Sequence, residues 1–111
     1  MRILLSGASG YIGQKLIPVL AAAGHEVWAL SRNPSKHDFG PNISKSFRWN
    51  PLAAPPPRES LEEIDAVIHL AGESVRGRWT QRKKTAIRDT RLTGTANLAS
   101  GIIAAKVRPK M

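Results

Sequence analysis

The chain contains no cysteine, only one tyrosine and two phenylalanines, and 8 acidic residues against 17 lysines and arginines. Without cysteine there is no disulfide framework, thiolate metal site or thiol nucleophile, and a cytoplasmic setting fits. No run of about 18 apolar residues occurs, so we expect no membrane span. The first apolar run ends in a glycine turn, which is unlike a signal peptide. A length of 111 residues favours one domain with a modest core.

The amino-terminal part of the chain has the order strand, glycine turn, helix. An apolar run at 2–6 leads into Gly7-x-x-Gly10-x-x-Gly13, and residues 11–23 have helical apolar spacing. This order is typical of a dinucleotide-binding βαβ unit, in which Gly7 allows a tight turn, Gly10 lets the backbone approach a pyrophosphate and Gly13 lets the helix pack closely. We expect the amino-terminal N–H groups of the helix to face the phosphates. The alternative is a glycine-rich turn that only joins strand to helix.

Periodicity predicts further strands at 27–30, 43–49 and 65–71, and a long helix at 81–104 capped by Thr80. Ser60 has capping-box spacing and is predicted to begin a short helical turn. The apolar sides of the two helices are predicted to be Ile12, Leu16, Val19, Leu20 and Ala23 in the first, and Leu92, Ala96, Ala99 and Ile103 in the second. Right-handed crossovers then give a Rossmann-like, doubly wound parallel α/β sheet of order 3-2-1-4, truncated after its fourth strand and following helix.

The end of the second strand indicates which dinucleotide is bound. Enzymes that use NAD usually have Asp or Glu there, whereas this strand runs into Ser31, Arg32 and Asn33. Because Ser31 and Arg32 suit a 2′-phosphate, we favour NADP, with NAD as the alternative. The small residues Ala71 and Gly72 leave room for the cofactor at the end of the fourth strand. The predicted cofactor-binding residues are Gly7, Ser9, Gly10, Tyr11, Ile12, Gly13, Ser31, Arg32, Leu70, Ala71 and Gly72.

Positive charge is concentrated between Arg76 and Arg91. This segment holds seven basic residues and one acid, Asp89, and therefore six of the nine net positive charges. Such a cluster attracts an anion, which can be a phosphorylated cofactor, a sugar nucleotide or nucleic acid. No recognised nucleic-acid-binding motif surrounds it, so we interpret it as the exposed face of the long helix. His69 is interpreted as a packed, hydrogen-bonded residue, and without neighbours at metal spacing it predicts no metal site.

Several segments occur together in an order that is informative. They are Gly7-Ala-Ser-Gly-Tyr-Ile-Gly13, Gly24-His-Glu-Val27, Ser31-Arg32, Asp65-Ala-Val-Ile-His-Leu-Ala-Gly-Glu73, Gly77-Arg-Trp-Thr80 and Arg91-Leu-Thr-Gly-Thr-Ala-Asn-Leu98. Together they resemble the amino-terminal part of an extended or atypical short-chain dehydrogenase/reductase of the NAD-dependent epimerase/dehydratase family, whose members include sugar-nucleotide epimerases. The resemblance implies an NAD(P)-binding domain over 1–111 and, in a full-length relative, hydride transfer on a nucleotide sugar or similar carbonyl or alcohol substrate.

The chain departs from that family in three ways. Family members are far longer, so we expect this chain to be a truncated product or fragment. The family's active site resembles Ser/Thr plus Tyr-x-x-x-Lys, in which the tyrosine moves a proton, whereas the single tyrosine here, Tyr11, lies in the glycine loop. Arg91 stands where many relatives have Asn. We therefore expect no catalytic residues in this chain, and cofactor contacts with little or no turnover. The alternatives are a non-catalytic binding module that associates through an uncovered sheet edge and a basic nucleic-acid-binding protein.

Overall fold

The computed structural model describes residues 1–34, 40–71, 78–105 and 109. Its strands and helices are β1 (Arg2–Ser6), α1 (Tyr11–Ala22), β2 (Glu26–Ser31), β3 (Ile43–Arg48), β4 (Ala66–His69) and α2 (Gln81–Ala104). Short 3₁₀ turns precede β3 at Gly40–Asn42 and β4 at Arg58–Leu61. In these ranges no helix combines the length and the apolar character that a bilayer crossing requires.

The four strands form one parallel sheet in the order β3-β2-β1-β4, which confirms the predicted order. Ser6 at the end of β1 is in register with Leu30 of β2 and with His69 of β4. All strands run the same way, so the loops that follow them begin at one edge of the sheet. In open α/β sheets this carboxyl edge is where ligands bind.

Side chains alternate between the two faces of the sheet, and each face has its own core. On the α1 face the buried cluster is Leu5, Ala8, Ile17, Val27 and Ala29. On the opposite face it is Leu4, Trp28, Leu30, Trp49, Leu61, Ile64 and Leu98, the last of these from α2. The helices therefore cover opposite faces, as a doubly wound fold requires.

The buried side of α1 differs from the prediction. Gly13 and Ile17 are buried, whereas Ile12 and Val19, which were predicted to face the core, are 63% and 62% exposed. Leu16 and Leu20 are partly buried against the core, as expected. α1 is rotated relative to the predicted orientation because Gly13 must lie against the turn after β1, where a larger residue cannot fit.

The buried side of α2 was also predicted wrongly, although its bounds and its Thr80 cap were correct. Thr80 Oγ1 accepts the Lys83 N–H at 3.1 Å. The buried residues are Gly94, Leu98 and Gly101, while Leu92 and Ile103 are 65% and 64% exposed. Two of the three buried positions are glycines, which a search for apolar side chains does not select.

The reason for this choice of face is a close contact with the proline-rich segment 51–56. A Cβ on Gly94 would lie 3.0 Å from Pro51 Cβ, and one on Gly101 would lie 2.9 Å from Pro56 Cδ. Ser60 also differs from its predicted role as the residue that begins a turn. It lies inside the turn Arg58–Leu61, where its Oγ donates to the Pro57 carbonyl at 2.6 Å.

Candidate functional site

Gly7 brings the end of β4 against the turn that follows β1. Its φ is +75°, a left-handed conformation that favours glycine. A Cβ at this position would lie 2.6 Å from the Leu70 carbonyl carbon and 2.8 Å from the Ala71 nitrogen. Two predicted cofactor-binding segments, the glycine turn and residues 70–71, are therefore in direct backbone contact.

Gly10 ends this turn and is the N-cap of α1. Its N–H donates to the Gly7 carbonyl at 3.0 Å, and it makes no side-chain cap hydrogen bond. A Cβ on Gly13 would lie 2.3 Å from the Gly7 carbonyl oxygen, so the first turn of α1 packs on the same loop. The first N–H groups of a helix have no carbonyl acceptor within the helix, and the helix dipole adds positive charge there. The glycine loop thus presents a helix start that suits an anion.

A cleft of about 330 Å³ opens at this carboxyl edge of the sheet, within the size range of ligand pockets. Its lining contains seven of the predicted residues, which come from three separate segments of the chain. They are Gly7, Ser9, Gly10, Ser31, Arg32, Leu70 and Ala71. The structure therefore brings together positions that are as far apart in sequence as 7 and 71.

Three of the predicted residues that the structure describes do not line this cleft. Tyr11 and Ile12 are exposed on the first turn of α1, and Gly13 is buried beneath the loop. Gly72 lies outside the described residues. Ile12 was predicted both to face the core and to contact the cofactor. Its exposure contradicts the core prediction and is compatible with a cofactor contact.

The opposite wall of the cleft was not predicted. It consists of residues 49–52 with Leu30 and Thr90. The Asn50 side-chain oxygen accepts the Leu52 N–H at 3.1 Å, which shapes the turn after β3. Asn97 of α2 donates through Nδ2 to the Pro51 carbonyl at 2.7 Å, so α2 holds this wall in place. The available sequence signal was the position of 49–52 directly after a strand of the parallel sheet.

The end of β2 supplies the polar part of the cleft. Ser31 is 9% exposed, its Oγ accepts the Asn33 N–H at 3.2 Å, and its carbonyl accepts the Trp49 N–H at 2.9 Å. Arg32, which also lines the cleft, is exposed. No acidic residue occurs between positions 27 and 37. The cleft therefore has a guanidinium near the place where NAD enzymes usually have a carboxylate.

His69 is packed and hydrogen-bonded, as the sequence interpretation expected. Its Nδ1 lies 2.6 Å from Oγ of the fully buried Ser6, and its ring centroid lies 6.2 Å from that of Trp49. Burial lowers the pKa of His69, and the positive charge of Arg91 lowers this pKa further. Both effects favour the neutral imidazole.

One pair in the chain does have Tyr-x-x-x-Lys spacing, namely Tyr11 and Lys15. Lys15 Nζ lies 5.8 Å from the centroid of the Tyr11 ring, but both residues are on the exposed first turns of α1. Neither lines the cleft described above. The sequence prediction missed this spacing, and the structure places the pair on the exposed start of α1 and not in the cleft lining.

Four of the five basic residues of α2 that were interpreted as an exposed face are exposed, and Lys83 is half-buried. The exposed residues are Arg82, Lys84, Arg88 and Arg91, and Arg88 Nε lies 3.7 Å from Asp89 Oδ1. Arg76, which belongs to the same cluster in sequence, lies outside the described residues.

Comparisons with known proteins give a consistent result. The family model described as the NAD dependent epimerase/dehydratase family matches residues 3–110. The chain is 37% identical over 110 residues to the epimerase family protein YfhF of Bacillus subtilis (strain 168), an alignment that covers 99% of this chain and 35% of YfhF. It is 36% identical over 113 residues to the Homo sapiens epimerase family protein SDR39U1, covering 99% of this chain and 34% of that protein. The chain thus spans about a third of the length of these curated relatives.

Solved structures show the same similarity in three dimensions. The crystal structure of human SDR39U1 (isoform 2) with NADPH superposes with a TM-score of 0.75 at 35% identity, covering 99% of this chain and 34% of that one. MoeE5 in complex with UDP-glucose and NAD superposes with a TM-score of 0.70 at 29% identity, covering 96% and 34%. The similar structures therefore include one with NADPH and one with NAD.

Proposed function

Because the chain belongs to the NAD dependent epimerase/dehydratase family, we propose that it is the NAD(P)-binding portion of a short-chain-type epimerase, dehydratase or oxidoreductase. The observation that carries this proposal is the cleft in which the glycine turn, the end of β2 and the residues after β4 meet. The similar structures with NADPH and NAD support a nicotinamide dinucleotide as its ligand. When bound, this cofactor supplies hydride transfer.

The residues of the cleft fit the parts of such a ligand. The start of α1 at Gly10 suits the pyrophosphate, because helix N-termini bind anions. Ser31 and Arg32 suit the adenosine ribose and its substituents, and Leu70 and Ala71 form the wall beside Gly7. We therefore keep the predicted cofactor set, including Tyr11, Ile12, Gly13 and Gly72, as a proposal.

The direct test is a calorimetric titration of the 111-residue chain with NADPH and with NADH. We expect saturable binding of at least one of them. If circular dichroism shows that the chain is folded and neither ligand gives a heat of binding at millimolar concentration, the proposal is wrong.

Preference for NADP over NAD is proposed to come from Arg32. A guanidinium binds a 2′-phosphate through charge-assisted hydrogen bonds, and no acidic residue is present there to bind an unmodified ribose. Arg32→Ala is expected to weaken NADPH binding about tenfold, the effect of losing roughly 1.4 kcal/mol, and to leave NADH binding nearly unchanged. Arg58→Ala changes another exposed arginine, outside the cleft, and serves as the matched control. Equal losses for both ligands would contradict this role for Arg32.

Catalysis is not expected from this chain alone. The Tyr11–Lys15 pair lies on the exposed start of α1 and outside the cleft lining, so we propose cofactor binding without turnover. The test is an assay with NADPH and model carbonyl compounds, and robust turnover would contradict the proposal. If turnover occurred, Tyr11→Phe would show whether Tyr11 supplies the proton.

Association through an uncovered surface is a second candidate function. Among the described strands, β4 pairs with β1 on one side only, and α2 exposes Leu92 and Ile103. Exposed edges and apolar patches favour association. Light scattering at increasing concentration tests this candidate, and a monodisperse monomer at high concentration counts against it.

Specific nucleic-acid binding is not part of the proposal. Arg82, Lys84, Arg88 and Arg91 of α2 are exposed, and we propose that they raise the local concentration of anionic ligands. A gel-shift assay at two salt concentrations tests this view. Sequence-specific binding that persists at the higher salt concentration would contradict it.

A further inference from the structure

The Ser6 hydroxyl connects β1 to the residues that follow β4. Ser6 Oγ accepts the N–H groups of Leu70 at 3.0 Å and Ala71 at 3.2 Å, and it lies 2.6 Å from His69 Nδ1. The Leu70 N–H is shared with the Ser6 carbonyl oxygen at 3.1 Å. Leu70 and Ala71 are also the residues whose backbone contacts Gly7 and lines the cleft.

Counting protons assigns the tautomer of His69. A hydroxyl group has one proton and two lone pairs. Both lone pairs of Ser6 Oγ accept backbone N–H groups, so its proton is available only to His69 Nδ1. Nδ1 is therefore unprotonated, and neutral His69 carries its proton on Nε2. A protonated imidazole would instead direct a third donor, Nδ1–H, at an oxygen whose two acceptor positions are already in use.

We propose that His69 is a positioning residue for the dinucleotide cleft, an inference that rests on the proposed function. Nδ1 of neutral His69 accepts the Ser6 hydroxyl proton, and this holds Ser6 Oγ towards the amides of Leu70 and Ala71. Protonation of His69 removes the acceptor, releases these amides from Oγ and weakens dinucleotide binding at acidic pH. The protonation of His69 thereby changes how firmly Leu70 and Ala71 are held in the lining of the cleft.

The surroundings of His69 support this role. β1 contributes the Ser6 hydroxyl, the residue after β3 contributes the uncharged Trp49 ring, and α2 contributes the positive charge of Arg91. Burial lowers the pKa of His69 from its ordinary value of 6.5, and Arg91 adds to this effect. The unfolded chain therefore takes up the proton first as the pH falls. The stabilisation that neutral His69 gives the folded chain is fully present above pH 6.5. It is lost as the pH falls through the lower pKa that His69 has in the folded state.

The first test needs no ligand. In a long-range ¹H–¹⁵N spectrum of the ¹⁵N-labelled chain at pH 8, we expect the Nε2–H tautomer for His69. On titration through the protonation of His69, the amide resonances of Leu70 and Ala71 should move with the same midpoint as the imidazole. A proton on Nδ1 at pH 8, or amides that do not respond to the titration, would overturn the proposal.

The second test measures NADP⁺ and NAD⁺ binding by calorimetry at pH 8 and at an acidic pH below the His69 midpoint that the first test measures. We expect the affinity for both ligands to be about tenfold lower at the acidic pH, as for the loss of one or two buried hydrogen bonds. NAD⁺ is included because a phosphate monoester itself titrates near pH 6. Binding that is equally tight at both pH values would overturn the proposal, whereas absence of binding at pH 8 would instead refute the cofactor assignment.

Variants separate positioning from simple packing. His69→Asn supplies an acceptor oxygen that does not titrate, so it should retain the pH 8 affinity and lose most of the fall in affinity at the acidic pH. His69→Leu should bind weakly at both pH values, provided that circular dichroism shows it to be folded. His25→Asn is the matched control. His25 also uses Nδ1, for a contact of 3.0 Å with the Met1 amino group, and it lies just before β2, at the amino ends of the strands and away from the cleft. An undiminished fall in His69→Asn would contradict the proposal.

Discussion

Both helices approach their neighbours through glycine, but the groups opposite those glycines differ. A Cβ on Gly13 of α1 would meet the Gly7 carbonyl oxygen at 2.3 Å, and this oxygen belongs to the loop backbone. Cβ atoms on Gly94 and Gly101 of α2 would meet proline side chains at 3.0 and 2.9 Å. Backbone held by neighbouring strands cannot move aside, whereas a surface loop can shift by a few tenths of an ångström. The glycine contact of α1 is therefore rigid, whereas the glycine contacts of α2 can yield when the loop shifts.

The strongest test of this contrast is Gly13→Ala. The methyl group would overlap the Gly7 carbonyl and lie 3.0 Å from Ala8 Cα, so we expect a loss of about 3 kcal/mol or more of unfolding free energy. Urea denaturation followed by circular dichroism measures the loss. Gly24→Ala is the control, because Gly24 has φ +88° but no atom within 4 Å, and it should cost only about 1–2 kcal/mol. Equal losses of unfolding free energy in Gly13→Ala and Gly24→Ala would contradict a rigid backbone contact at Gly13.

Gly10→Ala separates folding from binding within the same loop. Gly10 has an ordinary φ of −76°, and a Cβ would meet only the Gly7 carbonyl oxygen, at 3.3 Å. We expect the unfolding free energy to change by less than about 1 kcal/mol. Because Gly10 lines the cleft, the methyl group should lower dinucleotide affinity at least about tenfold. Unchanged affinity in calorimetry would show that the ligand does not approach Gly10.

Gly101→Ala probes the close contact of α2 with the proline-rich segment. Alanine favours a helix interior by about 1 kcal/mol over glycine, but the new methyl group would lie 2.9 Å from Pro56 Cδ and 3.3 Å from Leu61 Cδ1. We expect a net loss of about 1 kcal/mol in thermal or urea unfolding. Ser100→Ala, at the adjacent exposed position, should be neutral or slightly stabilising. A stabilised Gly101→Ala would mean that the loop moves aside freely.

Gly94→Ala should have the smallest effect on stability. The methyl group meets only Pro51 Cβ, at 3.0 Å, so helix propensity and crowding should cancel to within about 0.5 kcal/mol. Pro51 lines the cleft, and its displacement should change dinucleotide affinity by a few-fold. Parallel unfolding and binding measurements on one preparation check both expectations. A stability loss as large as that of Gly13→Ala would remove the distinction between the two helices.

Local signals explain how much of the fold was predictable. Short apolar runs gave the strands, and the Thr80 cap gave the start of α2, because both depend on residues close in sequence. The strand order followed from connection rules and is the observed one. Of the proposed site, the glycine loop and the ends of β2 and β4 were identifiable because each directly follows an apolar strand.

Long-range packing explains what sequence reasoning missed. The buried side of α2 is defined by Gly94 and Gly101, and their partners Pro51 and Pro56 lie some 45 residues earlier. Ranking positions by side-chain hydrophobicity instead selected Leu92 and Ile103, which are exposed. The same contacts position residues 49–52 as a wall of the cleft, so one missed packing interaction accounts for both errors.

The hydrogen bond from Asn97 to the Pro51 carbonyl has a consequence for the order in which the molecule is built. The two residues are 46 positions apart, so a chain emerging from the ribosome can form β1, α1 and β2 well before Asn97 is available. The β1–α1–β2 segment is complete by residue 31, whereas the hydrogen bond that holds residues 49–52 requires residue 97, so we expect this wall of the cleft to become ordered later than the segment that carries the glycine loop.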